Sequence, residues 1–341
     1  MPPSTFYSST PPVITPASRE GDPNYKAPTF PIGPFVKHAG NPLLVPNPDN
    51  DFESAYIYNA AAIVLDDTVF LLYRAQNAAL LSSIGLAWSA DGFSFTRLDR
   101  PVLEATEPWE AGGGVEDPRI HRFDGVFYMT YTAWDLDTPR LCLATSTDLV
   151  RWEKRPPLFP DFVDVRLTVQ GRTQMRRGHT KAGAIFPQRD GRGKYVMLFG
   201  DAFMHRAESD DLLHWEAQPF NEYFAAPALP WEDRLLEPGP APVQTADGKW
   251  ILVYNGATVG CPGYRNNQYS ISQMLVDFDR LEDGPLARLD RPSVVVSEKN
   301  ERVGLVNEVV FTEGMVQFRG RWFLYYGQAD SELGVATAVV S

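Results

Sequence analysis

The sequence predicts an all-β fold, a five-bladed β-propeller, on three observations. Five segments share one pattern of apolar strand, tight turn and aromatic-rich strand: Ala62 to Tyr73 around Asp66-Asp67, Ile120 to Tyr131 around Asp124-Gly125, Ile185 to Phe199 around Asp190-Gly191, Val243 to Tyr254 around Asp247-Gly248, and Val316 to Tyr326 around Arg319-Gly320. Asp-Gly between β-rich runs marks a hairpin, because those residues tolerate the positive φ of the turn. Three of the hairpins are followed by a second phrase, a Ser trailed by an Asp and then by a large aromatic: Ser89/Asp91/Phe95, Ser146/Asp148/Trp152 and Ser209/Asp211/Trp215. The aromatics that end the second strands, Tyr73, Tyr131, Phe199, Tyr254 and Tyr326, recur 55 to 72 residues apart with no helical stretch of note between them. Self-similarity at that period in an all-β chain indicates a propeller, whereas a two-sheet sandwich does not predict one recurring phrase. Five hairpins imply five blades, whose innermost strands start near Ala60, Arg119, Ala182, Ala241 and Val309.

Residues 1–35 come first, rich in Pro, Ser and Thr and without periodicity, and they read as an extended arm, in part disordered. Residues 36–341 follow as a single catalytic propeller with no internal boundary. In 341 residues, 44% hydrophobic and 12% aromatic content is ample for a core, and eight Trp with 14 Tyr exceed what packing requires, which brings carbohydrate into view. A formal charge of −12 argues against nucleic acid or an anionic membrane as partner, since both need a basic face. The expected partner is a small neutral oligosaccharide; oligomerisation is left open. No apolar run reaches the roughly 18 residues of a membrane span, and no basic-then-apolar leader opens the sequence, so the expected location is cytoplasmic. Cys142 and Cys261 match no metal spacing and no acid-rich calcium loop occurs, so neither metal nor cofactor is expected.

Just before the first strand of each repeat stands a polar residue in small or apolar surroundings: Asn59, Glu116 with Asp117, Lys181, Glu237, and Glu308 with Glu313. Innermost strands line the central channel, so these positions converge on one axial pocket. A second set lies where the aromatic strands end, Arg74, Thr132, Asp201, Asn255 and Asp330, and belongs to the same mouth or its rim. Acids are not gathered in a channel without chemistry to offset their repulsion. In Gly112-Gly113-Gly114-Val115-Glu116-Asp117-Pro118-Arg119, glycines permit close approach and Pro118 pushes Asp117 away from the helical region, so the acids are held in place. Arg119 is expected to pair with Glu116. Two carboxylates, a neutral substrate and many aromatics suit glycoside cleavage, in which one acid protonates the leaving oxygen and another serves the nucleophile. The basic stretch with Arg166, Arg172, Arg176, Arg177, His179 and Lys181 is a candidate anion site in an otherwise acidic chain.

These residues resemble glycoside hydrolase family 130, the mannoside phosphorylases and β-mannosidases. Gly114-Val115-Glu116-Asp117-Pro118-Arg119 is similar to the family's most recognisable motif, and Tyr254-Asn255-Gly256-Ala257 and Tyr325-Tyr326-Gly327-Gln328-Ala329-Asp330 match its blade endings. The resemblance covers roughly residues 40 to 341. It implies a five-bladed propeller and inverting cleavage of short β-mannooligosaccharides, β-1,2-linked ones among them, with Asp117 as general acid acting through the sugar's 3-hydroxyl. Asn59, Arg74 and Asp330 match positions that hold the mannose, and Glu116, Lys181, Asp201, Asn255 and Glu308 complete the expected binding set. In the fourth blade, phosphorylases resemble Lys-Ile-Gly-Ala-Gly-Pro, with the Lys on phosphate. This chain has Leu235-Leu236-Glu237-Pro238-Gly239-Pro240 instead. A carboxylate there repels phosphate and deprotonates water, so the reading is a β-mannosidase with Glu237 as base, kept ionised by Lys181 or Arg177. The alternatives are a phosphorylase that takes inorganic phosphate on Arg176, Arg177 and His179, and a sugar-binding propeller without turnover.

Overall fold

Each repeat forms a four-stranded antiparallel blade because its turns are built for hairpins. Asp66-Asp67, Asp124-Gly125 and Arg319-Gly320 have positive φ at both positions, the two-residue turn whose twist matches the flanking strands. The Ser-x-Asp phrase builds the next turn. Ser89, Ser146 and Ser209 each accept backbone N–H groups, and Asp91, Asp148 and Asp211 each accept two more, so three edge strands start from one local device.

The computed structural model describes residues 6–167 and 173–340. Blade 1 comprises Tyr56–Leu65, Thr68–Gln76, Ser82–Ser89 and Thr96–Leu98; blade 2 comprises Gly114–Phe123, Val126–Trp134, Pro139–Ser146 and Glu153–Lys154. Blade 3 has Ala184–Ile185, Tyr195–Phe199, His205–Ser209 and Glu216–Ala217. In blade 4 the inner strand is split into Leu235–Pro238 and Val243–Gln244, followed by Trp250–Ala257, Tyr269–Val276 and Ala287–Arg288. Blade 5 is Val310–Phe318, Arg321–Gln328 and Glu332–Val339, and its outermost strand is Val36–Lys37 from the other end of the chain. The expected strand start near Ala241 falls in the break of blade 4, where Pro238, Pro240 and Pro242 have no N–H for a ladder.

The core is distributed between blades rather than gathered at a centre. Ile63, Phe70 and Leu72 pack on Phe127, Met129 and Tyr131 between blades 1 and 2; Phe186, Leu198 and Trp250 pack between blades 3 and 4. Comparable clusters fill the other three junctions and complete the ring.

A buried ionic device repeats in blades 1, 2, 4 and 5. A short 3-10 turn ahead of the blade carries a fully buried glutamate, Glu53, Glu110, Glu232 or Glu301. The second-strand tyrosine donates its hydroxyl to it: Tyr73 at 2.7 Å, Tyr131 at 2.9 Å, Tyr254 at 2.5 Å, Tyr326 at 2.9 Å. A cation from the outermost strand closes the triad, Arg97 at 3.1 Å, Lys154 at 2.5 Å, Arg288 at 2.6 Å and Lys37 at 2.5 Å. Blade 3 departs from the pattern. Phe199 stands at the tyrosine position and stacks on Phe159.

The described part of the arm, residues 6–35, is laid across the ring. Phe6–Ser8 runs parallel to Thr96–Leu98, Arg122 donates to the carbonyls of Pro16 and Ser18, and two glutamines clip the backbone, Gln317 at Lys26 and Gln273 at Ile32. The arm therefore ties blades 1, 2, 4 and 5 together.

Candidate active site

Four of the channel-facing positions share a left-handed backbone. Asn59, Asp117, Ala182 and Glu308 have φ of 47°, 53°, 56° and 61°, and in blades 1 and 2 the register shifts at that point, between Tyr58 and Ala60 and between Glu116 and Arg119. A bulge re-aims a side chain, and left-handed non-glycine residues are retained where the surroundings fix them, most often at functional sites. Gly114 brings blade 2 up to blade 1: its φ is 96°, and a Cβ there would lie 2.1 Å from the Ser82 carbonyl oxygen. The Glu116-Asp117 pair thus enters blade 1's territory.

There Asp117 Oδ1 accepts from Asn59 Nδ2 at 3.0 Å and Arg74 Nη1 at 3.1 Å, while Arg74 Nη2 donates to Glu116 at 2.6 Å. Arg74 also lies over the Tyr58 ring. One guanidinium serves two adjacent buried carboxylates. Burial pushes Glu116 up, while Arg74, Lys181 and Asn59 together outweigh burial at Asp117 and hold it down at about 2.

The Arg119–Glu116 pair is corrected. The bulge at Asp117 turns Arg119 across the channel, where it donates to the carbonyls of Pro238 and Gly239 and lies 3.3 Å from Glu313 and 3.8 Å from Glu237. Glu116 takes Arg74 instead. Arg119 thereby ties blade 2 to blades 4 and 5.

On the blade 3 side, Lys181 faces Glu237, Asp117, Asp201 and Glu116, which hold its ammonium charged despite burial. Asp201 accepts from Arg176 at 2.7 Å and contacts His179 at 3.1 Å, and the His179 hydrogen bond with the Arg176 charge outweighs burial and pushes its pKa far down. Glu237 is 4% exposed, and burial outweighs Lys181 and Arg119 to lift it to about 7. Lys181 lowers Glu237 as expected but does not overcome burial, and the expected help from Arg177 is corrected: it lies out in solvent on Asp161. Asp330, beside Arg74, is likewise raised to about 7 by burial, and burial raises Glu313 well above the usual carboxylate range.

Asn59, Arg74, Glu116, Asp117, Lys181, Asp201, Glu237 and Asp330 therefore form one electrostatic cluster around the channel mouth. Acids outnumber cations in it, which suits a neutral ligand and requires some acids to carry protons. Two expected members stand apart, Asn255 and Glu308, while Arg176 and His179 reach the cluster through Asp201. Asn255 is fully buried and spends its amide on both backbone groups of Thr312, as a clip between blades 4 and 5. Glu308 is clamped by Arg265 and Arg302, and Arg176 is shared by Asp164 and Asp201. Arg172 lies outside the described residues. Tyr269 escapes the sequence reading: its phenol is near Glu237, Lys181 and Asp330, and burial lifts it to about 12. It begins a third strand, and extending the repeat beyond the hairpins would have found it.

Comparison with known proteins follows the same lines. The glycoside hydrolase 130 family, described as beta-1,4-mannooligosaccharide phosphorylase, matches residues 32–341. A 1,2-beta-oligomannan phosphorylase of Thermoanaerobacter sp. (strain X514) is 33% identical over 315 residues, 86% of this chain and 94% of the relative. A beta-1,2-mannobiose phosphorylase of the same organism is 30% identical over 323 residues, 89% of this chain and 96% of its own. Among solved structures, a putative glycosidase from Bacteroides thetaiotaomicron VPI-5482 superposes with a TM-score of 0.79 at 31% identity, covering 89% of this chain and 96% of that one. Another, described by the words "The GH130 family of mannoside phosphorylases contains glycoside hydrolases that target beta-1,2 mannosidic linkages in Candida mannan", gives 0.80 at 29% identity, covering 93% and 99%.

Proposed function

The chain belongs to glycoside hydrolase family 130, and from that premise we propose that it cleaves β-1,2-linked mannooligosaccharides by one inverting displacement in which phosphate takes the mannosyl group. The observation that carries this reading is the 33% identity, over most of both chains, to a phosphorylase named for 1,2-β-oligomannan. The cluster around Asp117 supplies the chemistry. In the ligand-free site a proton brought to the Glu116–Asp117 pair rests on Glu116, since Arg74 and Asn59 favour the charge on Asp117. A mannosyl hydroxyl that takes over Asn59 and Arg74 removes those contacts, and the proton moves to Asp117. Asp117 then gives it, through the sugar's 3-hydroxyl, to the leaving oxygen as the C1–O bond breaks and a phosphate oxygen bonds to C1 from the opposite face. A neutral Glu237 lets phosphate approach.

A second reading, water as the acceptor, is favoured by one specific observation: Glu237 stands at the attack side where a cation would serve phosphate better. Its titration separates the two. Glu237 is neutral below about 7 and charged above it, and only the carboxylate can take a proton from water. Hydrolysis therefore rises as pH increases through about 7, and Glu237→Gln stops it, by about a hundredfold or more, with partial return on adding azide or formate. Phosphorolysis survives Glu237→Gln. Incubating β-1,2-mannobiose with and without phosphate and identifying the products decides: mannose 1-phosphate supports the first reading, and mannose alone in both tubes overturns it.

A further inference from the structure

We infer that Arg234, Arg265 and Arg302 form a phosphoryl-binding site on the rim between blades 4 and 5, next to the attack side of the cavity. Two guanidiniums meet there around one carboxylate, and a third lies over the neighbouring Tyr269 ring. Glu308 accepts from Arg265 at 2.5 Å and from Arg302 at 3.3 Å, and its backbone carbonyl accepts from the Tyr269 N–H at 2.9 Å. Arg234 lies over the Tyr269 ring and donates to Asn267, pairing with no carboxylate among the described residues. Tyr269 in turn faces Glu237, Lys181 and Asp330, and Arg234 precedes Glu237 on the same stretch of chain, so the rim adjoins the reaction centre.

Local charge singles this patch out in a chain of net charge −12. The neighbouring acids are already engaged: Asp233 accepts from the Val259 N–H, and Glu301 holds Lys37. The other basic cluster is different in kind. Arg176 and His179 are matched by Asp164 and Asp201, so an anion arriving there meets two carboxylates. On the rim the Arg265 side chain is 65% exposed and Arg302 35%, able to turn from Glu308 to a ligand. Guanidinium forks match the spacing of phosphate oxygens and bind them bidentately.

The phosphoryl group has two sources with one chemistry, inorganic phosphate as acceptor or a phosphoryl group carried by the sugar. The first rests on the phosphorolysis reading. Calorimetric titration of the full chain with inorganic phosphate and with mannose 6-phosphate tests the site. The Arg265→Ala/Arg302→Ala variant is expected to weaken the tighter of the two at least tenfold, and Glu308→Gln to tighten it several-fold by removing the competing carboxylate. Tighter inorganic phosphate assigns the site to the acceptor, and tighter mannose 6-phosphate assigns it to a phosphorylated sugar. No binding of either probe at millimolar concentration, or unchanged affinity in both variants, overturns the inference. Consumption of β-1,2-mannobiose is followed in parallel: if it is absent while arginine-dependent binding persists, only the proposed function fails, and if it persists while binding ignores the arginines, only the rim site fails.

Discussion

Asp117→Asn lowers turnover of β-1,2-mannobiose about a hundred- to ten-thousand-fold, the usual contribution of a general acid, while the variant folds and binds sugar. Asparagine accepts the left-handed backbone at this position, where φ is 53°, and it still offers an oxygen to Asn59 and Arg74. Its amide carries no proton that can be passed to a leaving oxygen. Arg74 keeps Glu116, so no buried guanidinium is left alone. Single-turnover kinetics with β-1,2-mannobiose, beside a thermal melt, check the result. Full activity in a folded variant would remove Asp117 from the reaction and move the acid to Glu116 or Asp330.

Glu232→Ala has the largest expected effect on stability. Glu232 is fully buried, accepts the Tyr254 hydroxyl at 2.5 Å and faces Arg288 at 2.6 Å, and its other oxygen interactions include the Ala228 N–H. Removing it leaves a mostly buried guanidinium and a buried phenol without their acceptor, a loss of about 3 to 5 kcal/mol for a broken buried pair. Glu232→Gln, which keeps an oxygen for Tyr254, is expected to cost less. Urea melts of the two variants rank them; an alanine variant as stable as the parent would show that the triads contribute nothing net.

The blade count was legible because hairpin turns leave a compact chemical mark, Asp-Gly or its equivalent, at nearly every repeat. The channel positions were legible for the same reason, lying at a fixed offset from those turns. Arg119's partners were not, because the extra residue at Asp117 reverses which way the next side chains point, and no local pattern announces a bulge with Pro in it. The glutamate triads were written in the sequence as Pro108-Trp109-Glu110 and Pro230-Trp231-Glu232, with looser forms at Asp51-Phe52-Glu53 and Lys299-Asn300-Glu301. They precede blades 1, 2, 4 and 5, where a search centred on hairpins does not look. The arm's docking was hidden because glutamine clips and arginine contacts to carbonyls follow no periodicity. The pKa order, with Asp117 low and Glu237 near neutrality, depends on burial and on cations from other blades, which spacing alone cannot weigh.

Val36–Lys37 gives the ring a topological latch. Lys37 and Glu301 meet across 264 positions of sequence, so the strand that seals blade 5 is translated early and waits, unpaired, for Glu332–Val339 to exist. Until that moment blade 5 shows an open edge, and the junction between blades 5 and 1 has no fixed geometry. A solenoid can gain and lose repeats one at a time; a sealed ring has no such terminal unit to fray. Folding should accordingly be slow, as expected for contacts so distant in sequence, and unfolding all-or-none. The same seal fixes the distance between blades 2 and 4 that Asp117 and Glu237 span, so the spacing of the reacting groups is set by how the circle closes.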